Sequence, residues 1–173
     1  LTDAGLEGAV FKITSGSGKV IAENATTDHS GFIKINNLDA GTYVIQEIEA
    51  PKGYILDGEK HIVNLRNDDT EVVRIENSRP GGISVRKVDA RTGAPLEGAV
   101  FQLYDIKDTL IGGTQTSGKD GYVRWSDLEA GMYQVREVSA PDGYVTDNAP
   151  VKLEVKEFGT TEHIWENTQQ SSI

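Results

Sequence analysis

The sequence contains no cysteine. Disulfides and thiolate chemistry are therefore excluded, and a domain that works outside the cell needs some other brace. Basic residues are scarce. Seventeen lysines and arginines stand against 27 aspartates and glutamates, a net charge of -10. A surface of that sign does not attract phosphates, so a nucleic-acid partner is not expected. No apolar run reaches membrane-spanning length and no signal peptide is visible at Leu1, so membrane insertion by this segment is not expected. On the same grounds the chain reads as a piece of something longer. The three histidines, His29, His61 and His163, lack ligand-like spacing. No metal and no cofactor is expected, and no nucleophile-base-acid set points to an enzyme with turnover.

What is abundant is glycine, 19 residues, and internal repetition at a constant offset of 90. Leu6-Glu-Gly-Ala-Val-Phe11 returns as Leu96-Glu-Gly-Ala-Val-Phe101, Gly31-Phe-Ile-Lys-Ile35 as Gly121-Tyr-Val-Arg-Trp125, and Ile75-Glu-Asn77 as Trp165-Glu-Asn167. A twelve-residue box occurs as Tyr43-Val-Ile-Gln-Glu47-Ile-Glu-Ala-Pro51-Lys-Gly53-Tyr54 and again as Tyr133-Gln-Val-Arg-Glu137-Val-Ser-Ala-Pro141-Asp-Gly143-Tyr144. A constant offset over the whole length means two copies of one domain. Short alternating runs separated by glycine turns predict strands in the second copy near 83–89, 99–104, 110–115, 121–126, 131–139, 149–156 and 161–167. Seven short strands make an all-β chain of two tandem Ig-like β-sandwich domains. The expected boundaries are 1–78 for the first domain, 79–82 for a linker, 83–168 for the second domain and 169–173 for a tail. The first copy is expected to repeat these strands with one exception. Leu1 corresponds to Arg91, so the opening strand 83–89 has no counterpart.

Alternation also says which side chains point inward. In the box strand Glu137 lies in line with Tyr133 and Val135, and Glu47 occupies the same place in the first copy. In the opening strand Lys87 follows Ile83 and Val85. In the closing strand Asn167 follows His163 and Trp165. A lysine, a glutamate and an asparagine are thus aimed at one interior. Two chemistries fit. One is a buried ion pair, Lys87 with Glu137, hydrogen-bonded to Asn167. The other is a reaction. Burial favours the neutral amine, which is a nucleophile, and the neutral carboxyl, which is a proton donor. The amine then attacks the carboxamide polarised by Glu137, ammonia leaves, and Lys87 and Asn167 are joined by an isopeptide bond. Polarity alone does not choose between the two. Trp125 and Trp165 lie in strands and are read as core rather than as a sugar platform. Asn67-Asp-Asp-Thr70 and Ser15-Gly-Ser-Gly18 are read as turns.

These motifs resemble the collagen-adhesin B-type (Cna B-type, SpaA-like, prealbumin-like) domains of Gram-positive pilins and surface adhesins. The family pattern is a K-x-D opening strand, a T-G-x-P-L-x-G-A stretch, a box of form Y-x-L-x-E-T-x-A-P-x-G-Y and a closing strand ending in asparagine. Here these are Lys87-Val-Asp89, Thr92-Gly-Ala-Pro-Leu-Glu-Gly-Ala99, Tyr133 to Tyr144, and Glu166-Asn167. The threonine after the glutamate is Ile48 or Val138, a departure from the pattern. The resemblance implies an isopeptide bond between Lys87 and Asn167 with Glu137 as its catalytic group. It implies a cell-wall-attached, extracellular stalk module whose partners are neighbouring domains or subunits. A ligand-binding adhesin module that contacts a host or matrix protein is the alternative. In the first copy Glu47 and Asn77 remain, while the offset puts their lysine before Leu1, outside this sequence. Lys12, Lys19 and Lys34 fall on other strands and are poor substitutes.

Overall fold

The computed structural model describes residues 4–171. The chain divides into two compact units, Leu1–Ser78 and Arg79–Ile173. In the first unit, four strands form one antiparallel sheet: β1 (Val10–Ser15), β2 (Val20–Thr26), β3 (Gly41–Glu49) and β4 (Lys60–Leu65), in the order β2-β1-β3-β4. The period-two alternation of a half-buried strand is clear in β1, where Phe11 and Ile13 are buried and Lys12 is not, and in β4.

The second unit has seven strands in two sheets. They are β5 (Gly81–Asp89), β6 (Val100–Asp105), β7 (Leu110–Thr116), β8 (Tyr122–Leu128), β9 (Gly131–Ser139), β10 (Val151–Val155) and β11 (Thr160–Asn167). One sheet runs β10-β9-β6-β7 and repeats the sheet of the first unit. The other runs β11-β5-β8. Ile83, Val85, Val123, Trp125, Leu128 and Trp165 from the three-stranded sheet meet Ala99, Phe101, Leu103, Val135 and Val155 from the four-stranded one in a single core. Phe101 and Trp165 pack edge to face, with ring centroids 5.3 Å apart. Both tryptophans are buried, as their strand positions predict.

The strand β5 organises this unit. It pairs in parallel with β11, from Gly82 opposite Thr160 to Asp89 opposite Asn167, and antiparallel with β8 on its other side. Lys87 donates its backbone N–H to the Gly121 carbonyl at 2.7 Å, where β8 is about to begin. Gly121 has φ +79°, and a Cβ there would sit 2.5 Å from the Lys87 carbonyl oxygen. Only glycine accommodates both the left-handed backbone and that approach.

The first unit departs further from the expected repeat than by one strand. Residues 32–38 and 70–77, the counterparts of β8 and β11, form no strand. The pairing scheme of the second unit gives the reason. There β8 and β11 bond to β5 and not to each other, so β5 supplies the ladder for both. Among the described residues of the first unit no strand takes the place of β5. The backbone groups of 32–38 and 70–77 then have no ladder to join.

Candidate functional site

The three polar residues aimed inward in the second unit do converge. Lys87 is 0% exposed, Glu137 2% and Asn167 2%. Lys87 and Asn167 lie on the paired strands β5 and β11 of one sheet, with Lys87 in register with Trp165, two residues before Asn167. Glu137 reaches them from β9 in the facing sheet, where it is in register with the buried Phe101. Asn167 donates from Nδ2 to Glu137 Oε2 at 3.0 Å and to the Glu166 carbonyl at 3.2 Å. Glu137 Oε2 also accepts the backbone N–H of Asp147 at 2.7 Å. Lys87 Nζ donates to the Trp165 carbonyl at 2.9 Å and, at a longer 3.4 Å, to that of Val88.

Two features separate this cluster from an ordinary buried ion pair. Among the described residues Lys87 makes no salt bridge, and its hydrogen-bond acceptors are neutral backbone carbonyls. Burial pulls its pKa from 10.5 down to about 8, against the opposing pull of Glu137 and then of Asp147, Glu166 and Asp89. Second, Glu137 Oε1 and Asn167 Oδ1 are buried acceptors with no donor. The protein itself thus leaves one acceptor on each of the two side chains unpaired in a buried setting.

In the first unit Glu47 is 1% exposed and accepts from Asn77 Nδ2 through both oxygens, at 3.0 and 2.7 Å. Asn77 Nδ2 donates to the Ile55 carbonyl as well, at 3.0 Å, and the Asp57 N–H donates to Glu47 Oε2 at 2.7 Å. The glutamate-asparagine half of the cluster is therefore present in both units. The lysines of the first unit lie elsewhere. Lys12 is half-exposed and paired with Glu23 at 2.7 Å, and Lys19 and Lys34 are exposed.

The sequence did not reveal the backbone donors to the two carboxylates. A backbone N–H leaves no mark on residue type, but Asp57 and Asp147 recur at the offset of 90, and that recurrence was the available signal. Each aspartate side chain accepts the N–H two residues on, Glu59 and Ala149 respectively. This Asx turn aims the aspartate's own N–H at the glutamate.

The model of SpaA, a prealbumin-like fold domain, matches residues 2–79 and 81–169. The chain belongs to that family. Its two units are SpaA prealbumin-like domains. The chain is 40% identical over 62 residues to the trypsin-resistant surface T6 protein of Streptococcus pyogenes, a match covering 36% of this chain and 11% of that protein. It is 29% identical over 175 residues to the collagen adhesin of Staphylococcus aureus, covering 83% of this chain and 15% of that protein. The solved structure of a streptococcal ancillary pilin superposes with a TM-score of 0.56 at 28% identity, over 96% of this chain and 59% of that one. The SpaA-type chain thus spans a small fraction of the length of its curated relatives. The two curated relatives are a surface protein and a collagen adhesin, and the solved structure is an ancillary pilin.

Proposed function

We propose that the chain is a stalk module of a Gram-positive surface protein or pilus, and that its second unit is braced by a self-formed isopeptide bond between Lys87 and Asn167. The observation that carries this reading is the buried cluster itself. A lysine without an ion-pair partner, a glutamate and an asparagine share one dry interior. Family membership supports the stalk role, the extracellular wall-attached location and association with neighbouring subunits. Recognition of a host protein has less to rest on. The exposed large apolar residues of the second unit, among them Ile106, Val138, Val145, Phe158 and Ile164, are spread over separate strands and loops.

The reaction balances within three side chains. The neutral Lys87 amine attacks Asn167 Cγ, forming the Nζ–Cγ bond. The Cγ–Nδ2 bond breaks and ammonia departs. Glu137 gives its proton to Nδ2, which already touches Oε2 at 3.0 Å, and recovers one from Nζ. The carboxamide thus offers its nitrogen to Glu137, where the sequence reading has the carboxyl polarise the carbonyl oxygen. Packing supplies proximity, the largest part of the rate.

This scheme fixes the pH dependence. The reactive state has the amine free and the carboxyl protonated, so Lys87 and Glu137 together hold one proton beyond the fully deprotonated pair. The ion pair holds the same number, so the ratio of the two does not change with pH while the pair keeps that proton. Above about 8 the Lys87 amine gives up its proton to solvent, and the pair no longer holds one to pass to the leaving nitrogen. For chain prepared under denaturing conditions at its full sequence mass, the rate of ammonia loss on folding is expected to be level at neutral pH and to fall about tenfold per unit above about pH 8. Quenched-flow or manual-mixing mass spectrometry reads it. A rate that climbs through pH 8 and levels above it contradicts the use of Glu137 as an acid.

A further inference from the structure

Asp89 and Tyr144 belong to the two motifs flanking the reactive groups, and the reaction uses neither. Yet they form the most densely bonded polar contact of the second unit. Asp89 is 4% exposed. Its Oδ1 accepts the Arg91 N–H at 2.9 Å, the Thr92 N–H at 2.8 Å and the Thr92 hydroxyl at 2.9 Å. Its Oδ2 accepts the Tyr144 hydroxyl at 2.9 Å. The Thr92 backbone, then the Tyr144 and Thr92 side chains, hold its pKa down at about 2. Asp89 is therefore an anion at any working pH, and the phenol must be the donor. Tyr144 oxygen in turn accepts from Gln169 Nε2 at 3.2 Å, and the Tyr144 carbonyl accepts from Gln170 Nε2 at 3.1 Å. Backbone bonds reinforce the junction. Val145 donates to Thr168 at 2.9 Å, Gln170 to Gly143 at 2.8 Å, and Ala90 to Asn167 at 2.9 Å.

The placement matters because Asn167 ends β11 and pairs with Asp89, which ends β5. Ladder ends fray, and the last rung is the least protected. Here the last rung carries one reacting group, and the other lies two residues before it. Tyr144 ties the segment just past Lys87 to the segment just past Asn167. The loop that continues from Tyr144 delivers the Asp147 N–H to Glu137. One phenol thus joins the supports of all three reacting residues.

We propose that Tyr144 is a positioning residue for isopeptide formation, acting through Asp89 and Gln169 to hold the frayable end of the β5-β11 ladder in reacting register with Glu137. This rests on the isopeptide reading above. Loss of the clamp frees Asn167 by a fraction of the distance over which attack is efficient, and misplacement of that order costs about ten- to a hundredfold in rate.

The test uses the full chain prepared under denaturing conditions at its full sequence mass, then folded by dilution, with ammonia loss at Asn167 followed by mass and peptide mapping. Tyr144→Phe is expected to slow the reaction at least about tenfold under conditions where the variant is fully folded by circular dichroism. The decline above about pH 8 should stay where it is, because Tyr144 touches no reacting proton. Asp89→Asn should slow the reaction as well and serves if Tyr144→Phe does not fold. The double variant should fall short of the product of the two single effects, since the Tyr144–Asp89 contact is common to both. A Tyr144→Phe chain that folds and reacts at the unsubstituted rate overturns the positioning role and leaves the isopeptide reading intact. Additive effects in the double variant also overturn it. If the unsubstituted chain loses no ammonia, both readings fall together.

Discussion

Glu137→Ala is expected to leave the second unit folded and unlinked. The core that holds the sandwich together comes from Ile83, Val85, Phe101, Leu103, Trp125, Val135 and Trp165, and none of these needs the carboxylate. The proposed reaction would need it, because its carboxylate contacts the Asn167 nitrogen that would leave and lies close enough to Lys87 to act on its charge. Intact mass should therefore equal the sequence mass. Stability should drop for two separable reasons. The proposed bond would close a loop of about eighty residues, which in the loop-entropy account is worth roughly 4–5 kcal/mol. Removing the carboxylate also strands the Asp147 N–H and leaves Asn167 Nδ2 with the Glu166 carbonyl alone, at a cost of about 1–3 kcal/mol. At about 4–8 °C per kcal/mol for a domain of this size, Tm should fall by roughly 20 °C or more. Glu137→Gln keeps an acceptor for both donors and isolates the cross-link contribution. A Glu137→Ala chain that still loses ammonia assigns the proton transfer to the wrong residue. Lys87→Ala should weigh its own full sequence mass and be as protease-sensitive as the unlinked Glu137 variants.

The second large effect is expected in the first unit. It holds the glutamate-asparagine half of the site without a lysine, and the segments 32–38 and 70–77 lack the strand that their counterparts pair with. A peptide of sequence 82–89 from this chain, Gly-Ile-Ser-Val-Arg-Lys-Val-Asp, carries what that place takes in the second unit. It supplies an apolar inner face, free N–H and C=O groups for two ladders, and the lysine. Unpaired backbone recruits strands, and this register would bring the peptide lysine to Asn77. Incubation should give a covalent adduct on a denaturing gel, with loss of one ammonia per adduct and a gain of β signal. The adduct should vanish with Asn77→Ala, with Glu47→Ala, or when the peptide lysine is replaced by alanine. No adduct at large peptide excess contradicts the idea that the first unit retains a competent half-site.

The strands of the second unit were legible in the sequence because most are separated by glycine turns and several, such as β6 and β8, alternate inward and outward residues. The predicted span 131–139 coincides with β9, and the others differ by a residue or two at their ends. The inward direction of Lys87, Glu137 and Asn167 followed from the same period of two. What alternation could not say is that these side chains, from β5, β9 and β11, meet at one place, since pairing order is a long-range property. It also misjudged the first unit. Residues 32–38 have the composition of β8, but a strand needs a partner, and composition does not supply one. The role of Asp89 was hidden for another reason. Sequence alone places Asp89 two residues after Lys87 in one motif and says nothing of its partners, which are a turn and a tyrosine distant in the chain.

The central claim is covalent, so mass decides it most directly. The intact chain is expected to weigh one ammonia less than its sequence. A proteolytic digest should contain one branched peptide joining Lys87 to Asn167, with Asn77 recovered unmodified. A chain at the full sequence mass, with Lys87 and Asn167 recovered in separate linear peptides, would contradict the account.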